Sequence, residues 1–209
     1  YNRAEGILGI NEVSSIQKLR LYVELGKTKE GIAEGEKLIN AFPGEERFIM
    51  GFAQVLSQNG LRSDAIKYLE QFVASNPDSG SVKMLLAGLY RDNNQEQKAR
   101  PMLLDLFDNN TIELGSKLIV LGSYNAELNQ NKSKGISDPE KETFALTLFE
   151  KLKKGNPADP NVHILGGDLY LSTGRNREAQ TEYLRAIECG DVNFEVWENL
   201  LYLETQLEQ

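Results

Sequence analysis

His163 is the only histidine in the chain and Cys189 the only cysteine. An imidazole can serve as a general base or metal ligand, and a thiolate as a nucleophile, but each needs partners. No Cys, Asp or Glu cluster surrounds His163 at metal-ligand spacing, and it shares a packing column with Ile49 and Trp197. A core imidazole is the expectation. Cys189 falls near the end of a helix, whereas thiols are acidified at helix starts, so an inert thiol is expected. One cysteine also excludes an internal disulfide and a cysteine-based zinc cage. The carboxylates of "DPEKE" (138–142) and "PGEER" (43–47) read as helix starts, where negative charge is favourable. No nucleophile–base pair emerges. Catalytic residues, metal ligands and a cofactor are not expected, and the chain is not read as an enzyme.

The elements that would position any site belong to an ordinary folded chain. Its 209 residues are 40% apolar and 26% charged, unlike a disordered segment. No apolar window reaches the length of a membrane span. A net charge of −8 argues against a surface that tracks nucleic-acid phosphates, which needs clustered Lys and Arg. The chain begins at Tyr1 without Met or an apolar leader, so it is expected to be processed or cut from something longer.

Three stretches set the organisation: "LINAFPGEER" from Leu38, "FVASNPDSGS" from Phe72 and "LKKGNPADPN" from Leu152. Residues 12–45, 46–79 and 80–113 align column by column. Gly26, Gly60 and Asn94 share one column, and Gly31, Ala65 and Ala99 another. Tyr22, Leu56 and Tyr90 share a third, and Pro43, Pro77 and Thr111 a fourth. Residues 114–159 keep Tyr124, Ala145, Phe149 and Pro157 in register once an insertion is placed near 127–138. Residues 160–193 restore the plain length with Gly167, Tyr170, Gly174, Ala179, Tyr183 and Ala186. Apolar residues recur at three and four in "RFIMGFAQVLSQNG" and "SDAIKYLEQFV", which predicts two amphipathic helices per unit. The Gly/Asn column supplies the left-handed turn between them, and each proline blocks continuation of the second helix. Residues 194–209 begin a sixth unit with a single helix. Residues 1–11 fit the end of a preceding second helix, Tyr1 and Ala4 matching Tyr183 and Ala186.

Some positions break the pattern. The insertion predicts a longer first helix and an exposed loop around 130–137, with Asp138 capping a helix that opens at Pro139. Pro101 should bend or delay the second helix of its unit. Gly31 with Gly35, and Gly166 with Gly167, should let helices approach unusually closely.

A helix–turn–helix period of thirty-four residues resembles the tetratricopeptide repeat. The fifth copy, "HILGGDLY" through Gly174 to "REAQTEYLRAI", carries the likeness best, and Trp197 stands in the family's tryptophan slot. The resemblance implies an all-α, right-handed superhelical solenoid of antiparallel helix pairs. It also implies a concave side, lined by first helices, that takes peptides or helices. The column after the tryptophan slot holds Ile16, Met50, Met84, Leu118 and Ile164. One turn on come Arg20, Gln54, Asp168 and Tyr202, and then Arg91 and Asn125. The family's carboxylate clamp needs Lys, Arg and Asn where Ile16, Met50 and Met84 stand, so that specialisation is not expected. An apolar seam with two methionines suits varied apolar partners, though it could equally serve as packing between first helices.

The reading is a noncatalytic scaffold that binds a protein or peptide. The alternative is the recognition arm of an enzyme or signalling protein whose catalytic part lies elsewhere. Self-association through the uncovered last helix is a further reading. The texture is also similar to repeat proteins of bacterial cell envelopes, which implies a periplasmic or outer-membrane-associated setting.

Overall fold

A computed structural model describes residues 1–207, apart from the side chain at position 4. Glu208 and Gln209, which the sequence reading gives to the last helix, lie outside the described residues. The described chain is all helix and turn, with no strand. The elements are α1 (Asn2–Leu8), α2 (Glu12–Glu24), α3 (Thr28–Ala41), α4 (Glu46–Gln58), α5 (Arg62–Ser75) and α6 (Gly80–Asp92). They continue as α7 (Glu96–Asp108), α8 (Leu114–Ser133), α9 (Pro139–Gly155), α10 (Pro160–Ser172), α11 (Asn176–Cys189) and α12 (Phe194–Leu207). The chain divides into two compact units, Tyr1–Met102 and Leu103–Gln209.

In the first unit α2 pairs with α3 and α4 with α5, while α2, α4 and α6 stack as successive first helices. In the second, α8 pairs with α9 and α10 with α11; α10 stacks on α8, and α12 lies against α11. Each unit is thus a stack of antiparallel helix pairs, the arrangement of a tetratricopeptide solenoid.

The turns within pairs are one device used repeatedly. Gly26, Gly60, Asn94 and Gly174 have φ of 73°, 80°, 57° and 76°, in the left-handed region. The next residue then donates its N–H back to the preceding helix: Lys27 to Tyr22 O at 2.8 Å, Leu61 to Leu56 O at 2.9 Å, Gln95 to Tyr90 O at 2.7 Å and Arg175 to Tyr170 O at 2.9 Å. This six-to-one closure satisfies carbonyls that a helix end leaves open and reverses the chain.

Small residues set how closely the helices approach. Ala65, Ala99, Ala145 and Ala179 are fully buried on the second helices. At Gly167 the Tyr183 ring of the same pair rests on bare backbone, a Cβ there lying 2.5 Å from Tyr183 Cδ1, and at two further places a ring from a neighbouring pair does so. A Cβ on Gly35 would lie 2.2 Å from Phe52 Cε2, and one on Gly166 would lie 2.3 Å from Phe149 Cζ. The partners are exchanged between units: in the first the ring sits on the following first helix, in the second on the preceding second helix. Either way a large side chain fills the gap that glycine leaves, which keeps the interior at ordinary packing density.

The irregular spots resolve locally. Helix α7 runs unbroken through Pro101, which is exposed, so water can serve the carbonyl that loses its N–H partner. The expected delay of that helix does not occur. The insertion lengthens α8 to 20 residues and turns through Gly135 at φ 69°. Asp138 then caps α9 by accepting from Lys141 N at 3.0 Å. Lys132 Nζ donates to Leu171 O at 2.9 Å, tying the end of α8 to a carbonyl in the last turn of α10.

Candidate peptide groove

In the first unit the predicted inner column comprises Ile16 on α2, Met50 on α4 and Met84 on α6, all half-buried. They sit on neighbouring first helices. A Cβ on Gly51 would meet Ile16 Cδ1 at 3.7 Å, so α2 and α4 touch at this level. One turn on, Arg20 and Gln54 are exposed, and Gly88 faces open space. Arg91 is mostly covered, with Nε 3.8 Å from Glu96 Oε2. The strip that reaches solvent is therefore apolar along its centre and polar beside it.

In the second unit Leu118 on α8 and Ile164 on α10 are half-buried. Ile164 also packs against the cluster of Ala179, Tyr183, Val196, Leu200 and Leu203, so only part of it faces outward. Asn125 is buried, and its Oδ1 has no hydrogen-bond partner among the described residues. Asp168 is half-buried and accepts from the Tyr183 hydroxyl at 2.7 Å, which in turn accepts from Asn199 Nδ2 at 3.1 Å. Burial pushes the Asp168 carboxyl above the usual aspartate range, against the lowering effect of Tyr183. Tyr202 on α12 is exposed.

His163 is buried, as a core imidazole should be, but it has partners that spacing along the chain did not reveal. Its Nε2 lies 3.0 Å from Pro157 O, and its Nδ1 lies 2.7 Å from Glu182 Oε2. Glu182 Oε1 also accepts from Lys153 Nζ at 3.1 Å. The ring thus pins α11 to the turn before α10. An equivalent knot holds the first unit: buried Lys18 on α2 pairs with Glu34 Oε2 at 2.7 Å and with Glu5 on α1. Burial pulls the Lys18 ammonium down, but the hydrogen bonds it donates to Glu34 and Glu5 outweigh this and leave it raised. Lys117, in the column of His163, donates to Phe107 O at 3.1 Å and Asn109 O at 2.8 Å, and burial lowers its pKa. These charges close helix ends and hold helices together. Among the described residues no group of three or more His, Cys, Asp or Glu side chains could hold a metal ion, and no helix is long and apolar enough to cross a membrane.

Trp197 departs from its column. Ile49 and His163 are buried there, whereas Trp197 is 51% exposed, because the outer face of α12 meets solvent.

Residues 50–107 match the tetratricopeptide repeat family model. Over that segment the chain is similar to tetratricopeptide repeats. Solved tetratricopeptide structures share the fold over most of its length. The crystal structure of MamA aligns with a TM-score of 0.53 at 18% identity, covering 85% of this chain and 91% of that one. YrrB, a tetratricopeptide protein with an unusual peptide-binding site, aligns at 0.50 and 13% identity, covering 94% and 95%. A thermophilic tetratricopeptide protein of Thermus thermophilus aligns at 0.50 and 17%, covering 93% and 100%. Identities this low show shared architecture alone. No curated protein sequence matches the chain. The half-buried apolar column lies on α2, α4, α6, α8 and α10.

Proposed function

We propose that this chain is a noncatalytic scaffold that holds a peptide or an amphipathic helix of a partner protein along the inner column of its first helices. The observation that carries this reading is the half-buried Ile16–Met50–Met84 strip on consecutive helices α2, α4 and α6. Unbranched methionines adapt to apolar partners of different shape. Peptide binding in YrrB, a protein of the same fold, adds support. The test is capture of partners by the full chain and by a Met50→Glu, Met84→Glu double variant. Loss of capture with an unchanged melting curve supports the groove; equal capture by both removes it. The cell-envelope setting belongs to the same proposal, and fractionation of the source cells checks it.

A second reading, association of copies through the last helix, is favoured by one feature. Phe194, Trp197, Leu201 and Tyr202 on α12 are all at least half exposed. Sedimentation that stays monomeric at high concentration excludes it.

A further inference from the structure

The second unit has an open cleft of about 590 Å³ that none of the inner-column residues borders. Most of its lining comes from α9, a second helix, with Tyr170 of α10, Arg175 at the cap of α11 and Asp108 at the end of α7 completing the wall. Leu146 and the Tyr170 ring supply apolar surface; the latter stands edge-on to Phe149 with centroids 5.7 Å apart. The rest of the lining is polar or charged.

Its charges are unevenly satisfied. Asp108 Oδ2 is held by Lys151 Nζ at 2.5 Å. Glu150 Oε1 accepts from Lys153 Nζ at 2.9 Å and from the Tyr170 hydroxyl at 3.3 Å. Both carboxylates of the cleft are therefore engaged. Lys154 and Arg175 have no ion-pair partner among the described residues, although the chain as a whole carries a charge of −8. Two cations left over beside an apolar floor, in a strongly acidic protein, mark a place where a segment carrying both acidic and apolar groups gains from each. The volume falls within the ordinary range for ligand sites, roughly 300–1,000 Å³. Thr143 and Thr147 already donate their hydroxyls to Pro139 O and Thr143 O, each at 2.8 Å. Their oxygens face a ligand as acceptors, which suits backbone N–H groups.

We propose that this cleft is a second binding site, separate from the inner groove, for an acidic peptide segment. Acidic side chains of the segment pair with Lys154 and Arg175, and an apolar side chain rests on Leu146 and Tyr170. A peptide fits better than a nucleic-acid strand, because two cations match one or two carboxylates and the surrounding field repels a polyanion. Lys151 is a third contact held in reserve by Asp108.

The experiment uses the full chain and a fluorescein-labelled short peptide, blocked at both ends, with alternating Glu and Leu. Fluorescence anisotropy should report saturable binding that weakens as salt is raised. The peptide with Gln in place of Glu should not bind measurably. Lys154→Glu with Arg175→Glu should weaken binding about tenfold, the expected size for two exposed charge contacts. Asp108→Asn frees Lys151 and should tighten binding, a gain that a misfolded variant cannot mimic. Equal binding of the Gln peptide, or no change in the charge-reversed variant, overturns the proposal. Full competition by millimolar inorganic phosphate would show a small-anion site and also overturns it. The Met50→Glu, Met84→Glu variant should bind this peptide normally, so failure of the groove and failure of the cleft are told apart.

Discussion

The Tyr90 hydroxyl donates to Glu70 Oε1 at 2.6 Å, joining α6 to the second helix of the preceding repeat. Lys98 Nζ reaches the same oxygen at 3.0 Å. The bond recurs in register at Tyr170, which donates to Glu150 at 3.3 Å, while Tyr68, from the second helix α5, donates to Glu36 at 2.5 Å. Glu36, Glu70 and Glu150 occupy one column of the repeat, and each accepts a phenol from the next copy. Apolar contact between stacked pairs is non-directional, whereas these bonds fix how one pair is set against the next.

Tyr90→Phe should lower stability by about 1 kcal/mol near neutral pH, the usual net value of one hydrogen bond. The Tyr90 bond holds the Glu70 carboxyl below the usual glutamate range; partial burial opposes this and Lys98 adds to it. A carboxyl with a lowered folded pKa contributes stability above its unfolded value, and that stability is lost as pH falls through the folded value. The gap between wild type and variant should therefore narrow in acid. Melting curves at neutral pH and below the glutamate range check it, and a constant gap would separate the bond from the ionised carboxylate.

Gly166→Ala should cost about 1–3 kcal/mol, because the new methyl overlaps the Phe149 ring and must displace it. Phe149→Leu in the same chain should recover part of the loss, giving a coupling that a double-mutant cycle measures. Gly88→Ala is the contrast. It lies inside α6 with open space around it, so it should gain about 0.5–1 kcal/mol from reduced backbone freedom in the unfolded chain.

His163→Ala leaves the buried Glu182 carboxylate with Lys153 alone and frees the Pro157 carbonyl. A loss of about 2–4 kcal/mol is expected for breaking one partner out of a buried charged set. Amide hydrogen exchange should show the loss first in α10 and α11, the helices this ring holds. Uniform loss across both units would contradict the local role.

Asp168→Asn keeps an acceptor for the Tyr183 hydroxyl and removes a carboxyl whose pKa burial raises. With its folded pKa above the unfolded one, the carboxyl's ionisation costs stability as pH rises through the folded value. The asparagine variant should accordingly be the more stable protein at neutral pH, by up to about 1 kcal/mol, and lose that advantage in acid. Denaturant titrations at the two pH values decide this.

Much of the stack was legible because its signals are local. The left-handed turns at Gly26, Gly60, Asn94 and Gly174 follow from residue type, since few side chains tolerate positive φ. The close approaches at Gly35 and Gly166 follow from a missing side chain beside a large one in the facing column. The unbroken course of α7 through Pro101 was not legible, because whether a lost N–H matters depends on solvent reaching the freed carbonyl. Nor was the covering of Arg91, which follows from a glutamate in the first turn of α7 lying within reach.

A period of thirty-four residues, carried by helix-spaced apolar positions and a recurrent turn residue, was enough to determine the helix pairs and the face each helix buries. Those properties depend on neighbours within a turn or two along the backbone. The partners of His163, Lys18 and Tyr90 stand 19, 16 and 20 positions away, on helices running in other directions. The cleft gathers residues from three helices and the cap of a fourth. Such meetings are settled by the angle and depth at which helices pack, and side-chain volumes fix those quantities only after the chain has folded.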